Sequence, residues 1–256
     1  LFSISIIIIS VISVVRVRQR GIENEESILF NQARNLALQL TSQMKKAMVA
    51  AQSTAHIFET KLSVEYPTDL TRAEADAILR KTLISNKEFV GVYTLWEPNS
   101  FDQNDEQYAF APGHDQSGRF IPYWTQTNTG EVYKQPLLYY NTEGVGNYYL
   151  LPKERMKPTI IDPFLYPYQD MSKPLVSMVS PVIYKNRFYG VVGVDYSTSY
   201  LQSIVSTSGF ASRQARVQLI SHNGTFAADS RADSLIGRNL EDLYPNANEQ
   251  VIEIHN

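Results

Sequence analysis

Residues 1–15 are almost wholly apolar, and charged residues begin abruptly at Arg16, Arg18 and Arg20. A helix that crosses a membrane needs roughly 20 apolar residues. The run therefore predicts a transmembrane helix over residues 1–20 that lacks its first part. Two alternatives stay open: a buried strand, since Ile and Val favour sheets, and a cleaved signal peptide, although no small-residue cleavage pattern follows.

Apolar and small residues recur at every third or fourth position between residues 29 and 62. This spacing places them on one face of a helix and predicts a long amphipathic helix over residues 21–61, continuous with the membrane segment. The apolar face either packs on its own domain or pairs with a second copy as a coiled coil. Tyr66 and Pro67 end the helix, because the residue before a proline is disfavoured in the α region.

The next segment carries signals for one short helix and two strands. Thr71 and Glu74 form a capping-box pattern that opens a helix ending near Leu83. Residues 89–96 and 120–125 read as strands, and the polar, turn-rich stretch between them reads as a loop. The tyrosine-rich segment that follows, up to a short β-branched run at residues 159–162, predicts a long functional loop.

Residues 175–184 and 188–196 predict the clearest hairpin in the chain. Both runs are nearly continuous in Val, Ile, Met and Tyr, which is typical of central strands covered on both faces. Ser197 or Thr198 can cap a short helix that follows, and residues 206–214 read as a linker. A second unit then begins at residue 215 with a hairpin around Asn223 and Gly224, and it is only begun at residue 256.

Composition and motifs exclude several classes of function. The net charge of −3 gives no basic surface for nucleic acid. The chain has no cysteine, and its four histidines show no metal-ligand spacing. No nucleophile motif and no suitably placed histidine base are present. We therefore expect no catalytic residue, no metal and no cofactor.

Aromatic residues concentrate around a few carboxylates in the middle of the chain, and the tyrosines cluster between Tyr123 and Tyr200. An aromatic face attracts a cation through its quadrupole, and a carboxylate adds charge and accepts N–H hydrogens. This composition is typical of a pocket for a small cationic or zwitterionic ligand. The alternative is that these rings are ordinary large core residues of a β-rich domain.

The order of several motifs resembles a double Cache sensor domain. These motifs are Gly91-Val-Tyr-Thr-Leu-Trp-Glu-Pro-Asn99, Gly118-Arg-Phe-Ile-Pro-Tyr-Trp124, Tyr148-Tyr-Leu-Leu-Pro152, Ile161-Asp-Pro163 and Phe188-Tyr-Gly-Val-Val-Gly-Val-Asp195. Such domains are the extracytoplasmic ligand-binding regions of bacterial chemoreceptors, sensor histidine kinases and diguanylate cyclases. The resemblance covers residues 20–256.

The resemblance implies an α+β fold in which a long helix leads to PAS-like antiparallel-sheet modules. Residues 62–205 would form the membrane-distal, ligand-binding module, and residues 215–256 would begin the membrane-proximal one. It also implies a periplasmic location from about residue 21, a membrane anchor and a homodimer formed through the N-terminal helix. The periplasmic location conflicts with the arginines at the end of the membrane segment, which by the positive-inside rule place the following chain in the cytoplasm.

By the same resemblance, Tyr123 and Trp124 match an aromatic pair of the amino-acid-binding members, and Asp195 matches the carboxylate that holds the ligand ammonium. Those members carry an arginine two residues before the pair, where this chain has Ile121. Near Tyr166 they carry another aspartate, where this chain has a tyrosine with Asp162 nearby. The candidate ligand-binding residues are Trp96, Tyr123, Trp124, Tyr148, Asp162, Tyr166 and Asp195.

Loss of the arginine removes a bidentate partner for a ligand carboxylate. An amine, a quaternary ammonium or a purine-like ligand is then at least as well suited to the site as an amino acid. Two other functions stay open: a membrane-anchored hydrolase that uses Asp162 and Asp195 as acid and base, and a purely structural or protein-binding module whose aromatic residues are core.

Overall fold

The computed structural model describes residues 8–12, 22–127, 129–167, 174–210 and 216–243, and for residues 8–12 and 22–26 it describes the backbone alone. The chain divides into two compact units. The larger comprises Met44–Ile161 and Ser177–Tyr196, and the smaller comprises Leu1–Gln43, Asp162–Val176 and Ser197–Asn256. The module boundaries expected from the resemblance stay predictions.

Helix α1, Ile22–Glu59, confirms the long amphipathic helix and is followed by a 3₁₀ turn at Thr60–Leu62. Its buried face consists of small and apolar residues at three- and four-residue steps: Leu36, Leu40, Met44, Ala47, Ala51, Ala55 and Phe58. Its exposed side carries a second set of apolar residues, Ile28, Phe30, Leu38, Val49 and Ile57.

The larger unit is built on a six-stranded sheet in the order β4-β3-β2-β7-β6-β5. In chain order its strands are β2 Gly91–Trp96, β3 Pro122–Gln126, β4 Val132–Pro136, β5 Thr159–Phe164, β6 Leu175–Tyr184 and β7 Arg187–Ser197. The turn between β6 and β7 has positive φ at Lys185 (47°) and Asn186 (59°), as a two-residue primed turn requires, which confirms the predicted hairpin.

Three helices belong to the larger unit besides its part of α1: α2 Arg72–Ile84, α3 Asp105–Tyr108 and α4 Asn147–Arg155. The capping box at Thr71 and Glu74 is present and opens α2 as predicted. Strand β4 and helix α4 lie inside the segment predicted as a loop. Pro152 lies within α4, where sequence rules place a helix break, and burial of Tyr148 and Tyr149 stabilises the helix in spite of it.

Register places consecutive residues of β2 and β3 on opposite faces of the sheet. One face, which we call the tyrosine face, carries Tyr93 opposite Tyr123 and Gly193, with Gly91 opposite Asp195. The other face carries Val92 opposite Trp124, and α2 packs against β2 and β3 there. Aromatic side chains on the same face of the sheet can share a site, and those on opposite faces cannot.

The smaller unit contains a three-stranded antiparallel sheet in the order β1-β8-β9, with β1 Ile8–Ile12, β8 Arg216–Ile220 and β9 Phe226–Asp229. Helix α5, Thr198–Ser206, packs on β9 and is capped by Ser197, whose hydroxyl accepts from the Tyr200 N–H at 3.2 Å. Helix α6, Leu240–Leu243, comes last among the described elements.

The predicted membrane helix over residues 1–20 is wrong for its described part, because residues 8–12 form β1, with Ile8 paired to Ile220 and Ile12 to Arg216. The β-branched sequence Ile-Ile-Ser-Val-Ile suits an extended strand, which was one of the alternatives. The rest of that prediction lies outside the described residues. Among the described helices, none combines the length and apolarity that a membrane crossing demands.

Gly193→Ala tests the close approach on the tyrosine face. A Cβ at residue 193 would lie 2.0 Å from Cζ of Tyr93, far inside van der Waals contact. We expect overpacking to lower the free energy of unfolding by roughly 1–3 kcal/mol in urea denaturation. In a Tyr93→Leu background, where the ring is gone, the same change should have a clearly smaller effect. An equal loss in both backgrounds would contradict the packing described.

Candidate functional site

Asp195 lies at the centre of the tyrosine face and is 2% exposed. The Tyr123 hydroxyl donates a hydrogen bond to its Oδ2 at 2.7 Å, and the Ser177 hydroxyl donates to its Oδ1. Tyr123 comes from β3, Ser177 from β6 and Asp195 from β7, so three strands of the sheet position this cluster. The sheet register, rather than any loop, sets the geometry of the carboxyl group.

Burial raises the pKa of Asp195 to about 7, and the hydrogen bonds from Ser177 and Tyr123 oppose the rise only in part. In the described part of the chain, no lysine, arginine or histidine forms an ion pair with it. A carboxylate without a cation is unfavourable in a buried site, so the group is close to half protonated at neutral pH.

Two further tyrosines surround the carboxyl cluster. The ring of Tyr93 makes edge contacts with Tyr123 (centroids 5.7 Å apart) and with Tyr148 of α4 (5.5 Å). The Tyr148 hydroxyl donates to the Leu138 carbonyl at 2.6 Å, which ties α4 to the segment between β4 and α4. That segment is therefore linked directly to the ring cluster.

The structure brings together Tyr123, Tyr148 and Asp195 of the seven predicted site residues. Trp124 points to the opposite face, where its Nε1 donates to Asp76 of α2 at 2.8 Å. Trp96 also leaves the cluster, because its ring packs against Phe58 of α1 and Phe101. Trp124 is one position from Tyr123 in β3, and Trp96 is three positions from Tyr93 in β2. Because side chains alternate between the two faces of a strand, an odd separation places each tryptophan on the face opposite its tyrosine.

The remaining two predicted residues belong to the smaller unit. Asp162 is half-buried in β5. Tyr166 is buried and makes an edge contact with Phe164, with centroids 6.2 Å apart. Their membership of a ligand site stays a prediction.

Sequence reasoning missed Tyr93 and Ser177. The available signal was alternation: Tyr93 stands in β2 at the level of Gly193, and Ser177 is one of two serines in a mainly apolar strand. The pairing of strands that are distant in sequence was needed to bring these side chains to Asp195. The alternation of side chains within one strand does not show which strands pair with each other.

Arg119 of the larger unit is buried, at 6% exposure. Its Nε donates to the Trp96 carbonyl at 2.7 Å, its Nη2 donates to the Tyr149 hydroxyl at 3.3 Å, and its guanidinium lies 4.9 Å from the Tyr140 ring centroid. Asp195 lies opposite Gly91, the first residue of β2, whereas Arg119 donates to the carbonyl of Trp96, the last residue of β2. At about 3.3 Å per residue these two levels of β2 are on the order of 16 Å apart.

No protein-family model matches the chain. The chain is similar to the methyl-accepting chemotaxis protein TlpQ of Pseudomonas aeruginosa, with 28% identity over 190 residues that cover 69% of this chain and 26% of TlpQ. It thus spans about a quarter of the length of that curated relative.

Among solved structures, the chain is similar to the extracellular domain of a protein designated histidine kinase mmHK1S-Z2. The TM-score is 0.73 and the identity 30%, over 91% of this chain and 84% of that domain. The ligand-binding domain of the P. aeruginosa amino acid chemoreceptor PctC, solved with GABA, has a TM-score of 0.56 and 15% identity over 86% of this chain and 81% of that domain. At that identity the likeness concerns the fold alone.

The long helix, the antiparallel sheet and these relatives define the class of protein. The chain belongs to the Cache-type extracytoplasmic sensor domains of bacterial chemoreceptors and sensor histidine kinases. The α+β, PAS-like fold expected from the resemblance is confirmed.

Asp195→Asn tests the electrostatics of the site through the pH dependence of stability. The pKa of Asp195 is raised in the folded chain from 3.8 to about 7. Its stabilising contribution is therefore complete below pH 3.8 and is lost as pH rises through about 7. The slope is at most about 1.4 kcal/mol per pH unit.

Asparagine resembles the protonated acid and does not titrate. We therefore expect the unfolding free energy of Asp195→Asn to rise relative to wild type between those two pH values, measured by urea denaturation. Asp69→Asn, an exposed carboxylate, is the control. Parallel stability curves for wild type and Asp195→Asn would contradict the raised pKa.

Proposed function

We propose that this chain is the extracytoplasmic ligand-sensing region of a bacterial transmembrane receptor, and that the cluster around Asp195 binds a small amine or related nitrogenous metabolite. The observation that carries the proposal is the buried carboxyl group of Asp195, which has two hydroxyl partners and no ion-pair partner in the described chain. A cationic ligand would supply the missing charge. Tyr93, Tyr123 and Tyr148 would supply ring faces and edges around it.

The structural alternative expects these rings to be buried, and they are: Tyr93, Tyr123 and Tyr148 are each 1% exposed. Packing alone gives no reason for a carboxyl group among them, because an apolar residue of similar volume would be at least as stable. Perturbed, buried acids are typical of functional sites. The buried acid therefore favours binding over a purely structural role.

The position of Arg119 favours an amine over an α-amino acid. The ammonium and carboxylate of an α-amino acid are only about one hydrogen-bond length apart, so one molecule cannot reach both Asp195 and a guanidinium on the order of 16 Å away along β2. This geometry agrees with the absence of an arginine at residue 121. Monoamines, quaternary ammonium compounds and purine-like molecules fit this requirement.

Strand β2 offers a physical route from the site to the long helix. It carries Tyr93 on the tyrosine face and Trp96 on the other, and the Trp96 ring lies 6.2 Å from the Phe58 ring of α1. A ligand that moves the segment between β4 and α4 would favour one of two arrangements of these rings. It would change the population of each without needing any covalent step. In a receptor, α1 would carry this shift toward the membrane within a homodimer.

The first test is calorimetric titration of the chain with a panel of primary amines, choline, amino acids and purines. We expect Asp195→Asn to weaken a cationic ligand by at least about tenfold, since a charge-assisted pair is lost. Affinity for choline, whose charge does not titrate, should fall as pH drops through about 7, the pKa of Asp195. Asp76→Asn, on the opposite face, is the control. Equal binding by wild type and Asp195→Asn would refute the site.

The second test is disulfide crosslinking of single-cysteine variants in membranes, which is clean because the chain has no native cysteine. Leu38 and Val49 are 59% and 49% exposed on the outer side of α1. At 100° per residue they lie on one line of the helix. We expect Leu38→Cys and Val49→Cys to crosslink between copies and Gln39→Cys, about a quarter turn away, to crosslink much less. Equal or absent crosslinking at all three would contradict a dimer through this face.

A further inference from the structure

A second site lies in the larger unit, away from the Asp195 cluster. It is a cleft of about 740 Å³ between the 3₁₀ turn after α1, the start of α2, the loop at residues 99–104 and the start of β7. This volume is in the range of small-molecule pockets, about 300–1,000 Å³. Its walls are mainly polar and include the side chains of Thr71, Asn99, Ser100, Gln103 and Asn104.

The walls of the cleft are held in place by Arg72, which is buried. Its guanidinium donates to both carboxylate oxygens of Asp102 at 2.8 Å, to Asp105 at 2.6 Å and to the Gly118 carbonyl at 2.7 Å. These bonds fix the loop to α2 and form the cleft before any ligand arrives. Arg72 carries one positive charge against the two carboxylates of Asp102 and Asp105, so its charge is not available to a ligand.

Two other cations of the cleft have aromatic rings as their partners. The Lys61 ammonium lies 4.9 Å from the Phe101 ring centroid, and the Arg187 guanidinium lies 5.1 Å from the Tyr189 ring centroid. Within the described residues neither forms an ion pair. The Arg187 guanidinium is held by a ring contact while its charge stays available for an anion. The Lys61 ammonium also acts electrostatically on Asp102 and Glu74 and helps to keep the pKa of each carboxyl below its usual value.

Asp69 is the acid of the cleft that Arg72 does not neutralise, and it lies exposed at the rim. Exposed charges are well screened by water and salt, so Asp69 opposes an anion only weakly, and Arg187, which is also exposed, attracts one less strongly than a buried arginine would. Lys61 is half-buried against Phe101 and is screened less. The side chains that line the cleft carry three positive charges (Lys61, Arg72 and Arg187) and two negative charges (Asp69 and Asp102), an excess of one positive charge.

We propose that this cleft binds a small organic anion with a carboxylate or phosphate group, with Lys61 and Arg187 as its charge partners. Arginine offers two parallel N–H donors to either oxyanion, and lysine adds a compact positive charge. Thr71, Asn99 and Asn104 add hydrogen-bonding groups for polar substituents of the ligand. The site does not depend on amine binding at Asp195, so the chain would report two chemically different ligands.

Calorimetric titration of the whole chain with citrate and, separately, with inorganic phosphate tests this proposal and distinguishes the two anion types. We expect saturable binding of at least one probe, weakened at least about tenfold in Lys61→Gln and in Arg187→Gln. Lys185→Gln is the matched control, because Lys185 stands in the same turn as Arg187 and also lies over a tyrosine ring, but does not line the cleft.

Three results would overturn the proposal: no binding of either probe at millimolar concentration, equal affinity of wild type and both variants, or equal weakening in Lys185→Gln. Asp195→Asn should leave anion binding unchanged, so failure here is distinguishable from failure of the amine site. Retained thermal unfolding temperatures in the three glutamine variants would exclude loss of folding as the cause of weaker binding.

Discussion

The structure of the candidate site depends on one interaction, the burial of the Asp195 carboxyl group under the hydroxyls of Tyr123 and Ser177. Those two hydrogen bonds stabilise the ionised carboxylate in the buried sheet, while burial raises its pKa to about 7. Gly91 leaves room for the Tyr123 ring and for Oδ2 of Asp195, and Gly193 leaves room for the Tyr93 ring. A group held so near its own pKa responds strongly to any cation placed beside it, because the added charge favours the ionised form.

Several elements could be predicted because their signals are local. The capping box at Thr71 and Glu74, the periodic face of α1 and the turn at Lys185 and Asn186 each need only a few neighbouring residues. Helix α4 could not be predicted, because Pro152 argues against a helix and only the burial of Tyr148 and Tyr149 overrides it. The apolar run at residues 8–12 was also ambiguous, since apolar composition alone does not separate a strand from a helix.

The candidate site shows the same division between local and long-range information. The resemblance named Tyr123 and Asp195 as candidate ligand-binding residues, and in the structure a hydrogen bond joins the two. It could not separate Tyr123 from Trp124, because neighbouring residues of a strand face opposite ways and the identity of the ligand-facing side depends on what packs on each face. Arg119 is the complementary case. It stands two residues before Ile121, and the structure puts it at the other end of β2 from Asp195, with the Trp96 carbonyl and the Tyr149 hydroxyl as partners.

Under the proposed function Asp195 is the charged partner of a cationic ligand, and this role can be observed directly at its carboxyl carbon. A ¹³C NMR titration of Asp195, assigned by its loss in Asp195→Asn, should give a pKa of about 7 in the ligand-free chain. With a bound amine or with choline at saturation, the pKa should fall clearly, because a nearby positive charge favours the carboxylate. An unchanged titration curve in the presence of a bound cationic ligand would contradict the account.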